Sequence, residues 1–183
     1  MAAGRRGGSA VDWESAYRAL IGDSAASEVI IPEGITKIRR EMFKGDTNLV
    51  RCVIPDSLVV TAAYGLNSAA SMFYDCTNLQ EVIIGSGFTK TCERMFHGCT
   101  SLQSITLPSN ITEINAWTFS SCNNLTTVIL ERTESIVVNN YNDIGAPNAI
   151  FYVPDALLNT YKTANRWSNI ANRIKPMSEL PTT

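Results

Sequence analysis

The sequence predicts a β-rich solenoid, an α/β-class superhelix of short strands with a short helical cap at each end. Three observations carry this. A phenylalanine opens each copy of one stretch, at Phe43, Phe73, Phe96 and Phe119, with spacings of 30, 23 and 23 residues. The period is therefore 23, with one seven-residue insertion. Three residues after each phenylalanine stands Asp46, Cys76, Cys99 or Cys122. An apolar core follows in phase: Leu49-x-x-Cys52-x-Ile54, Leu79-x-x-Val82-x-Ile84, Leu102-x-x-Ile105-x-Leu107 and Leu125-x-x-Val128-x-Leu130. One such unit cannot bury its apolar side alone, and stacking its copies makes a continuous core.

Residues 1–8 read as a flexible leader rich in glycine and alanine. Residues 9–28 read as the N-terminal cap. Ser9 and Asp12 resemble a capping box, and Trp13, Tyr17, Leu20 and Ile21 form one apolar stripe at helical spacing. A membrane-surface helix is the rival, but the polar face lacks a basic cluster. Residues 29–131 hold four repeats. Each begins with a short strand rich in Val, Ile and Leu, whose alternate residues face opposite sides. A turn follows at Pro55, Gly85, Pro108 or Glu131, then a second segment such as Phe88–Thr91 or Ile111–Ile114. Asp46 breaks the cysteine column because the first repeat lies near the end of the stack. The insertion falls at 61–71 and reads either as a binding loop or as a neutral bulge. Residues 132–177 read as a degenerate repeat and a C-terminal cap. Ile136–Val138 and Ile150–Val153 supply strands there; Leu157, Leu158 and Tyr161, then Trp167, Ile170, Ala171 and Ile174, form two short apolar helical faces. Residues 178–183 are a tail.

A 20–29-residue period with an L-x-x-L-x-L core is the leucine-rich-repeat signature. Ile-Pro-Glu-Gly-Ile-Thr-Lys-Ile from Ile31, Phe-x-x-Cys-Thr-x-Leu from Phe73 and Phe96, and Ile-Thr-Leu-Pro-Ser-Asn-Ile-Thr-Glu-Ile from Ile105 resemble the BspA-like family of these repeats. The resemblance covers about residues 29–131. It departs from more familiar leucine-rich repeats in lacking their asparagine column, where Ser57, Gly87, Asn110 and Thr133 stand. The segment from Tyr152 to Pro176 is similar to the one that closes BspA-like arrays. The resemblance implies a solenoid whose exposed, concave sheet face binds a partner. It also implies adhesion or host-surface contact, at an extracellular, cell-surface or virion location.

Composition excludes several classes. Net charge is −2, with 17% charged residues, which gives no general case for nucleic acid or anionic membranes. No apolar run reaches the ~20 residues of a membrane helix, and no apolar signal region follows Arg5 and Arg6. Five cysteines, an odd number without a Cys-x-x-Cys pair, disfavour a disulfide framework and a structural zinc site. Cys76, Cys99 and Cys122 read as packing residues and Cys52 as core, whereas Cys92 falls one residue past an inward position and is the candidate exposed, reactive thiol. His97, the single histidine, occupies a position filled elsewhere by Lys44, Tyr74 and Ser120, which suggests exposure rather than catalysis. Gly85–Thr91 lacks phosphate-loop spacing and aligns with ordinary turns at Pro32 and Pro108. The sequons at Asn110 and Asn124 read as chance.

Binding is the remaining class. Val53, Ile83, Thr106 and Ile129 form one outward, mostly β-branched row, with Arg51 and Glu81 beside it. The row reads equally as an interaction surface or as the β-propensity of a solvated face. Tyr64, Leu66 and Asn67 are the candidate contact residues of the insertion. These residues suit a non-enzymatic module for protein–protein or surface recognition, with a protein or cell-surface ligand. Neither cofactor, metal, nucleic acid nor membrane insertion is expected. The alternative is a structural, assembly or decoration subunit of a larger particle such as a phage virion, with oligomeric contacts.

Overall fold

The structure, a computed structural model, describes residues 26–60, 70–138 and 144–182. The expected helix over 9–21 lies outside the described residues, as does the insertion up to residue 69.

Alternation of side chains builds the main row of strands. Glu28–Ile30 (β1) and Glu81–Ile83 (β3) each bury the central residue and expose the two beside it. The row continues through Arg51–Val53 (β2), Ser104–Leu107 (β4), Thr127–Leu130 (β6), Ile150–Val153 (β8) and Ile174–Pro176 (β9). Every pairing is parallel, as a coil with one constant sense of turn requires. The hydrogen-bonded order is β1-β2-β3 in one sheet and β4-β6-β8-β9 in another. Register partners such as Ile105, Val128, Phe151 and Ile174 are 23 residues apart, so the period runs on to β9. A second row holds Glu113–Ile114 (β5) paired with Val137–Val138 (β7).

The phenylalanines form the spine of the core. Successive rings from Phe43 through Phe73 and Phe96 to Phe119 stack with centroids 5.3, 5.5 and 5.6 Å apart and planes within 10°. None is more than 1% exposed. Each backbone N–H in this row donates one repeat onward, Phe73 to the Met95 carbonyl and Phe96 to that of Thr118, both at 2.9 Å. The cysteine thiols bond the other way. Cys76, Cys99 and Cys122 donate to the carbonyls of Phe43, Phe73 and Phe96 at 2.9, 3.1 and 2.9 Å. Asp46 takes the column's place in the first repeat. Its carboxylate accepts from the N–H groups of Asn48 and Leu49 at 3.0 and 3.2 Å, closing the turn locally.

Asparagines stitch the outer loops. The amides of Asn78, Asn124 and Asn148 donate to the carbonyls of Thr47, Thr100 and Asn123 at 2.6, 2.7 and 2.9 Å. Both sequon asparagines serve the stack in this way, since Asn110 donates to the carbonyls of Ser86 and Phe88.

All five cysteines are buried and no disulfide joins them. The expectation of an exposed Cys92 is corrected: it is 0% exposed. Its counterpart Asn115 is also buried, while Arg39, at the same place in the first repeat, is exposed. The chain turns inward here in the middle repeats because Thr91, Asn115 and Thr118 satisfy one another. The Thr91 and Thr118 hydroxyls lie 2.8 Å apart, and the Asn115 amide donates to the Thr91 carbonyl at 2.7 Å. Burial pushes the Cys76 and Cys122 thiols up to about 12 and raises Cys52 and Cys99 as well. We expect no cysteine to react with a thiol reagent in the native protein at neutral pH, and all five to react in denaturant. Stoichiometric labelling without denaturant would contradict the buried column.

The C-terminal segment carries the helix Leu158–Thr163 (α1) and a 3-10 stretch, Trp167–Arg173, kinked at Ile170. Trp167 packs edge-on to Phe151 and Tyr161, with ring centroids 5.5 and 5.0 Å away.

Candidate binding surface

The outward residues of the main row meet in register. Val53 stands between Ile30 and Ile83, and Ile129 between Thr106 and Tyr152. Ile30 and Ile83 are 62% and 44% exposed, and Val53, Thr106 and Ile129 are half-buried. Tyr152, only 6% exposed, ends the apolar part, and Lys175 follows it. Sequence reasoning missed Ile30 and Tyr152, although a step of one period back from Val53 or on from Ile129 reaches them. Tyr64, Leu66 and Asn67 lie outside the described residues.

Arg51 sits between two carboxylates on the same face. It bonds Glu28 through Nη1 and Glu81 through Nε at 2.6 Å. The bond to Glu81, then that to Glu28, raises its pKa above the ordinary arginine value. The partners are largely exposed, so these pairs set the rim's charge pattern more than they add stability.

The turn beside the phenylalanine spine carries a second row. His97 is half-buried rather than exposed, and stacks on Tyr74 with centroids 4.5 Å apart. Lys44 Nζ lies 5.2 Å from the Tyr74 ring centre, and the Arg94 guanidinium 4.6 Å from that of Trp117. His97 Nδ1 is buried with no hydrogen-bond partner, so the imidazole has no orienting group on that nitrogen and acts as a packing plate. Among the described residues no group of three or more His, Cys, Asp or Glu could hold a metal ion. None of their helices is long and apolar enough to cross a membrane.

The strand core, the phenylalanine spine and the cysteine column point to one repeat type, and residues 67–145 match the model of the BspA type leucine rich repeat region (6 copies). Residues 67–145 are built from BspA-type leucine-rich repeats. Three solved structures are similar to it. A leucine rich cell surface protein from Faecalibacterium prausnitzii A2-165 superposes with a TM-score of 0.53 at 25% identity, over 60% of this chain and 33% of that one. The Leucine Rich Repeat protein of T. pallidum gives 0.57 at 24%, over 72% and 59%. A leucine-rich repeat protein from Bacteroides ovatus ATCC 8483 gives 0.55 at 24%, over 82% and 42%. The matched part thus spans about a third to three fifths of those proteins. No curated protein matches the chain significantly.

Proposed function

We propose that this leucine-rich-repeat protein is a non-enzymatic recognition module that binds a protein or cell-surface ligand through the outward face of its main strand row. The observation that carries the reading is the row Ile30–Val53–Ile83, three aligned apolar side chains on a face rimmed by the Glu28–Arg51–Glu81 network. Apolar side chains in line on a rigid surface suit contact with another surface. The C-terminal segment caps the stack and keeps that face in register. Cell-surface display is part of the proposal, supported by the description of the Faecalibacterium structure.

Ile83→Arg tests it. The side chain points outward, so thermal stability should stay within about 0.5 kcal/mol of wild type. Capture of the partner in a cross-linking pull-down from cell-surface extracts should fall at least tenfold, equivalent to about 1.4 kcal/mol. Undiminished capture would show that binding uses another face. Light scattering addresses the assembly alternative, because a stable symmetric oligomer would make the same face a subunit contact.

A further inference from the structure

The main row does not zip along its whole length. β3 and β4 are consecutive strands one period apart, yet no ladder hydrogen bond joins them. The chain is stitched on either side of this gap. Ser101 N–H donates to the Thr77 carbonyl at 3.1 Å, and Thr112 N–H to that of Thr89 at 2.8 Å. The gap is therefore a slit in an otherwise continuous wall. It opens a cleft of about 360 Å³, within the range of small-ligand sites. The core shows through it. Val82 and Ile105 are 8% and 4% exposed, whereas their counterparts Cys52 and Val128 are at 0%.

The sequence differs at this interval. Where other repeats have Pro32, Pro55, Pro108 or Glu131, this one has Gly85, with Gly87 two residues on. Both glycines press against the preceding repeat: a Cβ on Gly85 would run into the backbone of Pro55, and one on Gly87 into the carbonyl of Leu58. Ser86 N–H donates to the Asp56 carboxylate at 2.7 Å, which holds that carboxyl below its usual range. The turn after β3 thus lies against the backbone of the preceding turn, on the side of the strand away from β4.

The charged side chains lining the cleft are both carboxylates, Glu81 and Glu131. Glu81 is shared with Arg51, and Glu131 is exposed with no ion pair among the described residues. Ser104 and Thr106 add hydroxyls, and Val82, Ile84 and Ile105 add apolar surface. An aliphatic stem ending in a cation matches this combination, with the stem along Val82 and Ile105 and the head at the carboxylates. The cleft opens beside Ile83, where the Ile30–Val53–Ile83 part of the row ends with its sheet. We infer that the β3–β4 cleft receives an arginine or lysine side chain from an extended segment of a partner protein, whose neighbouring apolar side chains lie on Ile83 and Val53. This rests on the sheet-face reading above and adds the chemistry of the partner.

Short fluorescein-labelled peptides of valine and threonine, with a single central arginine, lysine, citrulline or glutamate, provide the probe. Fluorescence anisotropy should show the arginine and lysine peptides binding about tenfold tighter than the citrulline and glutamate ones. Glu131→Gln should remove most of that preference while leaving the weaker neutral binding intact, and the preference should shrink with added salt. Equal binding of arginine and citrulline peptides, an unchanged preference in Glu131→Gln, or no peptide binding at all would each overturn the inference. The Ile83→Arg protein separates this from the parent reading. If that variant loses capture of the surface partner while basic peptides show no preference, the cleft proposal alone falls.

Discussion

Trp167→Ala should cost about 5 kcal/mol, the largest single-residue loss expected in this chain. Removing a buried tryptophan ring typically costs about 3–5 kcal/mol, and Trp167 is 1% exposed between Phe151 and Tyr161. A polar term adds to this. The indole Nε1 donates to the Ile136 carbonyl at 2.7 Å, and the Ile136 N–H donates to the Tyr161 hydroxyl at 2.9 Å. Losing the indole leaves the carbonyl without this donor, worth about 1–3 kcal/mol. Trp167→Phe weighs the donor more heavily, since it keeps a six-membered aromatic ring while losing the N–H and the smaller ring that carries it. It should cost about 1–3 kcal/mol. The damage should also be local, because each repeat is coupled mainly to its neighbours. Hydrogen exchange should accelerate first in β8 and β9 and last in β1 and β2. A loss below about 1 kcal/mol in urea unfolding, or uniform acceleration along the chain, would show that this segment does not cap the stack.

Phe96→Ala should cost about 3–5 kcal/mol, from an interior position rather than an end. The ring is wholly buried and stacked on both sides, with centroids 5.5 Å from Phe73 and 5.6 Å from Phe119. Each stacked pair contributes about 0.5–1.5 kcal/mol beyond area burial, and both are lost together. The neighbouring backbone cannot close the hole freely. Phe96 N–H is held by the Thr118 carbonyl, and its own carbonyl accepts from the Cys122 thiol. Phe96→Leu keeps most of the apolar volume but loses both stacks, and should cost about 1–3 kcal/mol. Unfolding monitored by circular dichroism should rank wild type, Phe96→Leu and Phe96→Ala in that order. A cost below about 1 kcal/mol for alanine would mean that the phenylalanine row is not the spine of the core.

The architecture was largely legible because a solenoid writes its geometry as phase. A residue's place in the 23-residue period fixes which side of the coil it faces. Phe96, Cys99 and Ile105 could therefore be read as core, and Ile83 as outward, before any coordinates. The degenerate repeat was read less completely. Phe151 and Ile174 keep the register of Val128, but no Phe-x-x-Cys accompanies them, so the continuing period was hidden by the loss of its marker residues. Cys92 and His97 show where phase stops being enough. Both sit in turns, where exposure depends on how the chain bends and on polar partners or rings from other repeats, such as Thr91 beside Asn115 and Tyr74 beside His97.

Periodic phase alone was enough to read a stack of leucine-rich repeats, the residues of its spine and the row that faces outward. Periodicity suffices for that, since every copy repeats the same inward choice and hydrophobic burial enforces it. Only the tertiary structure decided how closely neighbouring copies approach. Gly85 and Gly87 permit a backbone contact with Pro55 and Leu58 that a Cβ would forbid, and across the strand from that contact β3 and β4 stand apart. A period gives the order of the strands but not their separation. Separation is set by steric contact and hydrogen bonding between repeats, and it turns one interval of this regular wall into a cleft.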